Sequence, residues 1–246
     1  MSGTLGWLFG RFFLGWVLLA QVPGDPLARF REAAKTWEPD IRKLEQLDQS
    51  EVADDETILF LGSSSIRLWE TLPQDLPRYK TLRRAYGGAR FSDLAVHVDR
   101  LVARHQPRAV VIFVANDISG DAQRDLPPDQ IVGLAQYTLQ RIRRKFSEIP
   151  VFLIAITPTP SRFAVWDQIR QVNDGLAQLP RCDPHCYFIE TASRFLDKEG
   201  KPRSELFEED RLHLNQSGYQ VWARLLQAKF QKVLGEEGAA DCEQGG

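Results

Sequence analysis

The chain contains few cysteines and histidines, the residues that form zinc sites and, in the case of cysteine, disulfides. The 246 residues include three cysteines and four histidines. Cys182 and Cys186 stand four apart with His185 between them, and Cys242 lies in a polar tail. This spacing is not that of a zinc site and no second ligand pair follows, so no metal is expected. Cys182 and Cys186 would suffice for one small disulfide loop, a question that the sequence leaves open.

The chain also lacks an excess of positive charge and a linker through its middle. Its 31 Lys+Arg stand against 33 Asp+Glu, for a formal net charge of −2. A nucleic-acid partner usually shows as a basic excess or stripe, so none is expected. Because no stretch rich in Gly, Ser or Pro divides the chain, we predict one main domain over residues 25–236 and a polar tail over 237–246.

The first 24 residues differ in composition from the rest. Arg11 is followed by an uninterrupted apolar run over 12–20, shorter than the roughly 20 residues of a membrane-spanning helix. The segment is similar to a secretory signal peptide with a cleavage site after Ala20. We therefore expect a secreted or periplasmic protein. A membrane anchor formed by residues 5–20 and a buried N-terminal helix are the alternatives, and no other stable membrane partner is expected.

Short apolar runs alternate with longer amphipathic segments through the rest of the chain. Runs such as "AVVIFV" and "VFLIAI" are apolar at every position, which is typical of strands covered by helices on both faces. The alternation predicts an α/β fold, a three-layer α/β/α sandwich around a five-stranded, mostly parallel sheet. The predicted strands are 57–61, 81–86, 109–114, 151–156 and 187–190, and the predicted helices lie at about 25–48, 91–104, 128–147, 162–178 and 215–234.

Small and polar residues follow the first three predicted strands. Three serines occupy 63–65, Gly87 and Gly88 follow the second strand, and Asn116 follows the third. Each group is also what an ordinary turn requires. Ligands of parallel sheets bind outside the carboxyl ends of the strands, so these residues are candidates for a nucleophile and for donors to an oxyanion.

A serine nucleophile needs a base, and one of the four histidines has a carboxylate beside it. His213 lies three residues after Asp210, just before the last predicted helix. Positions three apart in a turn face the same side, so Asp210 can orient the imidazole. The other histidines, His97, His105 and His185, lie in ordinary helix or loop positions. The order Ser, Asp, His is the one used by α/β-type serine hydrolases.

Taken together, these residues resemble the SGNH/GDSL hydrolase superfamily over about 57–234. Its first block is matched by "GSSSI" at 62–66, its second by "RAYGGAR", its third by "VAND" at 114–117 and its last by "DRLH" at 210–213. The resemblance implies a flavodoxin-like sandwich that hydrolyses esters without a cofactor. It further implies a catalytic triad of Ser64, Asp210 and His213, and an oxyanion hole of Ser64, Gly88 and Asn116.

Two residues depart from the family pattern. Ser63 stands where the family often has aspartate, and Val114 replaces the glycine of the third block. Neither substitution removes a proposed catalytic atom. Both bear on the geometry of the hole and on the serine register, so Ser65 remains an alternative nucleophile.

The substrate is less well defined by the sequence. Arg67 and Trp69 follow the nucleophile, and Arg162 and Trp166 follow the fourth strand, so these four are weak candidates for substrate binding. Their alternative places are the core for the tryptophans and the solvated surface for the arginines. With no extended apolar lid, we expect a short acyl ester, acetyl above all, on a carbohydrate or another small molecule. The alternatives are a lysophospholipase or thioesterase acting on longer chains, and a non-catalytic glycan-binding module.

Overall fold

The computed structural model describes residues 25–235. The predictions for the N-terminal segment and the polar tail, together with Cys242, lie outside these residues. The predicted sheet is confirmed: five parallel strands run in the order β2-β1-β3-β4-β5. They are β1 (Thr57–Gly62), β2 (Lys80–Ala85), β3 (Ala109–Phe113), β4 (Val151–Ile154) and β5 (Cys186–Ile189).

Eight α-helices flank the sheet within the described residues. They are α1 (Ala28–Ala34), α2 (Glu38–Leu47), α3 (Ser64–Arg67), α4 (Leu72–Asp75), α5 (Phe91–Val102), α6 (Pro128–Lys145), α7 (Trp166–Leu176) and α8 (Gln216–Leu234). A 3₁₀ turn, Pro160–Val165, precedes α7. None of the helices in residues 25–235 is long and apolar enough to cross a membrane.

Alternate residues of each strand enter two separate apolar clusters, one on either face of the sheet. In β1, Leu59 and Leu61 belong to the cluster that contains residues of α2, α5, α6 and α7, whereas Ile58 and Phe60 belong to the cluster that contains residues of α3, α4 and α8. Every residue of β1 is buried. Burial on both faces is why these strands read as continuous apolar runs in the sequence.

The chain reverses its direction of travel across the sheet between β1 and β3. From β1 it moves outward to the edge strand β2, and it then returns to place β3 on the other side of β1. In parallel sheets a crevice opens at such a point, beyond the carboxyl ends of the two strands. The residues after β1 and β3 are therefore the ones that face this crevice.

Two stretches differ from the helices that the sequence predicts. The first helix is divided into α1 and α2 by a 3₁₀ turn at Lys35–Trp37, because Pro39 has no N–H to donate to the carbonyl four residues earlier. Two four-residue helices, α3 and α4, follow β1 where none was predicted. Helices this short carry no periodic pattern that a sequence can display.

The two described cysteines do not form a disulfide. Cys182 is exposed, whereas Cys186 is buried in β5, and both are free thiols. Burial raises the pKa of Cys186 to about 12. Within the described residues neither thiol forms a disulfide, and these residues contain no group of three or more potential metal ligands.

A buried ion pair ties the end of α2 to the edge strand β2. The Arg84 Nε donates to the Asp48 Oδ1 at 2.5 Å, and the two side chains are 1% and 2% exposed. His105 lies beside them, its Nδ1 accepting from the Ala53 N–H at 3.1 Å. Burial lowers the pKa of His105. Because the Nδ1 accepts, the proton of the imidazole lies on Nε2, which is 3.2 Å from the Asp48 Oδ1.

We predict that Asp48→Ala lowers the free energy of unfolding by about 3–5 kcal/mol, because it removes the buried carboxylate that pairs with the Arg84 guanidinium. The remaining partner, Glu51, is exposed and lies 3.4 Å away. Urea denaturation measures the change. Glu32→Ala is the matched control, since Glu32 pairs with Lys35 at the surface and exposed pairs contribute less than about 1 kcal/mol. A loss of stability in Asp48→Ala as small as in the control would contradict the prediction.

Candidate active site

β1 ends in a glycine because β3 leaves no room for a side chain there. A Cβ placed on Gly62 would lie 1.9 Å from the Phe113 carbonyl oxygen, and the residue has a φ of +141°. The N–H of the next residue, the buried Ser63, donates to that same oxygen at 3.0 Å. Ser64 follows as the first residue of α3. The turn therefore places Ser64 at the crevice between β1 and β3.

Ser64 is joined to His213 and Asp210 by an unbroken chain of hydrogen bonds. The Ser64 Oγ lies 2.9 Å from the His213 Nε2, and the His213 Nδ1 lies 2.5 Å from the Asp210 Oδ2. A carboxylate only accepts, so Nδ1 carries the proton and Nε2 is left to accept from the Ser64 hydroxyl. The arrangement can withdraw a proton from Ser64 and return it to a leaving group.

Asp210 is held in place by the backbone of its own loop. Its Oδ1 accepts from the backbone N–H groups of Leu212 and His213, each at 2.9 Å. Although partial burial raises the pKa of Asp210, the hydrogen bonds from His213 and Leu212 outweigh burial and lower it below the ordinary range. The loop thus holds the Asp210 carboxylate against the imidazole of His213.

Trp69, one of the predicted substrate-binding residues, lies in the core instead of the crevice. It is fully buried, stacks on the Tyr219 ring at 5.1 Å and donates its Nε1–H to Asp75 at 2.7 Å. Tyr219 in turn donates its hydroxyl to the Ser65 carbonyl oxygen at 2.9 Å. The prediction for Trp69 is wrong, because an indole whose faces and N–H are all occupied supports α3 and cannot reach a substrate.

Asn116 follows β3 and faces the same cavity as Ser64 and His213. Its Nδ2 donates to the Ala89 carbonyl oxygen at 2.9 Å, and its Oδ1 accepts from the Arg162 Nη2 at 2.8 Å. A primary amide has two N–H groups. One is used by Ala89, so the other is available to a ligand.

The loop after β2 carries Gly88 in a conformation that favours glycine. Its φ is +72°, and a Cβ at this position would lie 3.0 Å from the Trp37 ring. Gly88 does not line the cavity beside Ser64, but the carbonyl group of the next residue, Ala89, accepts from Asn116. This hydrogen bond joins Asn116 to the residue that follows Gly88, so the loop after β2 is tied to the cavity although Gly88 itself does not line it.

Asp117 fixes the end of this loop. Its carboxylate accepts from the Phe91 N–H at the start of α5, at 2.9 and 3.1 Å. Burial raises the pKa of Asp117 to about 7, against the opposing effect of that hydrogen bond. Asp117 is 1% exposed, so it holds the loop from the protein interior and is not accessible to a substrate.

The cavity beside Ser64 is small. Its volume is about 20 Å³, and Ile156, Thr157 and Leu212 line it together with Asn116 and His213. Thr157 is a site residue that was not predicted from the sequence, and its buried hydroxyl has no hydrogen-bond partner in the described part of the chain. Thr157 lies just beyond β4, at the carboxyl edge of the sheet, and this position could have identified it as a site residue from the sequence.

The other three predicted substrate-binding residues occupy different places. Arg162 lines the cavity, but both of its described hydrogen bonds go to the chain itself. Arg67 is exposed, and its guanidinium lies beside Gly87. Trp166 is half-buried at the start of α7 and packs against the apolar cluster. Of these four residues, only Arg67 has a side chain exposed enough to contact a substrate at the protein surface.

Comparison with known proteins is consistent with this geometry. The sequence pattern of the GDSL-like Lipase/Acylhydrolase family matches residues 53–221. No curated protein matches the chain. The solved structures with a similar fold include a Streptococcus pneumonia protein named for platelet activating factor, with 20% identity, a TM-score of 0.68, and coverage of 82% of this chain and 98% of that chain.

Two further solved structures share the fold. A GDSL-like lipase from Bacteroides thetaiotaomicron has 16% identity and a TM-score of 0.65, and the match covers 78% of this chain and 97% of that one. An acetyl xylan esterase has 20% identity and a TM-score of 0.54, over 70% and 98% of the two chains. At these identities the likeness concerns the fold, whereas the family match spans more than half of the chain. The chain therefore belongs to the GDSL-like lipase/acylhydrolase family of ester-hydrolysing enzymes.

Proposed function

We propose that this protein is a serine esterase in which Ser64, His213 and Asp210 form the catalytic triad. The observation that carries the proposal is the continuous pair of hydrogen bonds, 2.9 Å from Ser64 to His213 and 2.5 Å from His213 to Asp210. A non-catalytic glycan-binding module would not require the serine hydroxyl and the imidazole to be in contact. The contact therefore favours catalysis.

The proposed reaction has two steps. As the Ser64 Oγ attacks the ester carbonyl carbon, His213 Nε2 takes the hydroxyl proton, and Asp210 stabilises the imidazolium that forms. His213 returns this proton to the departing alcohol, which leaves an acyl group on Ser64. A water then attacks the acyl carbon and gives a proton to His213. As the second intermediate collapses, the bond between the acyl carbon and the Ser64 Oγ breaks, His213 returns the proton to that oxygen, and the acid is released.

The negative oxygen of each tetrahedral intermediate needs hydrogen-bond donors. We assign this task to the backbone N–H groups of Ser64 and Gly88 and to the free N–H of the Asn116 amide. Ser64 is the first residue of α3, so its N–H has no partner within that helix. Loss of one such donor costs on the order of 3 kcal/mol in the barrier.

The acyl group is proposed to be short. A cavity of about 20 Å³ beside Ser64 has room for a group near the size of one water molecule. This supports an acetyl group, because the longer chain of a lysophospholipid or acyl thioester would have to extend beyond the cavity. The alcohol part is proposed to be a carbohydrate. Its support is the exposed Arg67 near Gly87 and the acetyl xylan esterase among the proteins of similar fold.

Export remains a proposal from the sequence alone. It rests on the apolar run over 12–20 and the Pro/Gly turn that follows it. A secreted or periplasmic location would give the enzyme access to polymeric carbohydrate esters outside the cytoplasm. Anchoring through residues 5–20 is the alternative for the same segment.

We predict that a fluorophosphonate probe labels the wild-type protein on Ser64 and that Ser64→Ala abolishes the labelling. Only a serine activated by a base reacts readily with such a probe. Peptide mapping by mass spectrometry identifies the labelled residue, and Ser65→Ala serves as the matched control that keeps its label. A folded wild-type protein without label would contradict the triad, and label on Ser65 would move the nucleophile by one residue.

We predict that kcat/KM for para-nitrophenyl acetate exceeds that for the butyrate ester by about tenfold or more. Each methylene that a tight pocket rejects is worth about 1–3 kcal/mol. Leu212→Ala should narrow this ratio, because it removes part of the cavity wall while the Leu212 backbone N–H still binds Asp210. Equal or rising activity with chain length in the wild type would favour the lysophospholipase or thioesterase alternative.

A further inference from the structure

The positively charged guanidinium of Arg162 is partly buried and lies against the side-chain amide of Asn116. Its Nη2 donates to the Asn116 Oδ1 at 2.8 Å, and its Nη1 donates to the Ala115 carbonyl oxygen at 2.6 Å. The side chain reaches these atoms from the 3₁₀ turn Pro160–Val165, which follows β4. The guanidinium therefore binds two successive residues that lie just after β3.

These contacts determine which way the Asn116 amide faces. An arginine has only donors, so the atom opposite Nη2 must be the amide oxygen. On the other side of the amide, the Ala89 carbonyl oxygen can only accept, and it lies 2.9 Å from the Asn116 Nδ2. A flipped amide would set donor against donor and acceptor against acceptor. Arg162 and Ala89 together leave the second N–H of Asn116 with one fixed direction.

The charge of Arg162 has no carboxylate in direct contact with it. Asp125 and Asp117 attract the guanidinium only at longer range, and within residues 25–235 neither forms an ion pair with it. Burial lowers the pKa of Arg162, but guanidinium groups remain protonated in proteins. A positive charge bonded to Oδ1 draws electron density from the amide and strengthens its N–H donors.

We propose that Arg162 is a positioning residue of the oxyanion hole, which orients the Asn116 amide and polarises it toward the negative oxygen of the tetrahedral intermediate. This inference rests on the proposed esterase function. It differs from the substrate-binding role that the sequence suggests for Arg162, because two of the five guanidinium N–H groups bind Ala115 and Asn116.

The same turn also contacts the loop of the catalytic base. The Ser161 N–H donates to the Arg211 carbonyl oxygen at 3.0 Å, between Asp210 and His213 in the sequence. Arg211 has a φ of +60° and is the one non-glycine residue with positive φ among those described. The turn Pro160–Val165 thus contacts both the loop that carries Asp210 and His213 and the side-chain amide of Asn116. Removal of the Arg162 side chain leaves the backbone contact of Ser161 in place.

The test compares kcat and KM for para-nitrophenyl acetate in Arg162→Met, Asn116→Ala and the double variant. We expect Arg162→Met to lower kcat by about tenfold to 100-fold and to leave KM within about threefold, since the amide acts on the transition state. Because Arg162 acts through Asn116, the double variant should be within about threefold of Asn116→Ala alone. Arg170→Met is the matched control, as Arg170 is an exposed residue of α7 that pairs with Asp167.

Melting temperatures establish that each variant is folded. If Arg162→Met does not fold, Arg162→Lys replaces it, because one ammonium cannot reproduce the two-point contact, and the same fall in kcat at constant KM is expected. A rise in KM at constant kcat, or losses that add in the double variant, would overturn the inference in favour of direct substrate binding. A wild type without esterase activity would instead overturn the proposed function.

Discussion

The close approach of β1 and β3 at their carboxyl ends is the constraint on which the site depends. The Phe113 carbonyl oxygen occupies the space that a side chain at position 62 would need, and it also accepts from the Ser63 N–H. Gly62 is the residue that permits this contact. Any Cβ there would force the strands apart, and with them Ser64 and Asn116, which follow the two strand ends.

Two polar networks are built on this junction. One runs from Asp210 through His213 to Ser64, and the other joins Arg162, Asn116 and the Ala89 carbonyl group. The neighbours determine which atoms of His213 and Asn116 donate and which accept, so flipping either side chain would break its hydrogen bonds. Such preorganisation is what a hydrolase requires, because the donors are already in place when charge develops on the substrate.

The sequence predicted the sheet and the residues at its edge because those features have local signals. Continuous apolar runs reveal doubly covered strands, and Ser64, Asn116 and His213 follow or precede elements that can be located from such runs. Trp69 was misplaced, and the contacts of Arg162 with the chain were missed, because the partners of both residues come from distant segments. Trp69 packs on α8, and Arg162 bonds to residues 46 and 47 positions away. Nothing near either residue in the sequence specifies those partners.

The central claim is that Ser64 is the nucleophile and that Gly88 and Asn116 bind the oxyanion. The most direct measurement is a crystal structure of the protein after reaction with a fluorophosphonate, whose tetrahedral phosphorus mimics the intermediate. The account predicts phosphorus bonded to the Ser64 Oγ and a phosphonyl oxygen within hydrogen-bond distance of the Ser64 N–H, the Gly88 N–H and the Asn116 Nδ2. A phosphonyl oxygen directed away from Asn116 and Gly88, or an adduct on another residue, would contradict it.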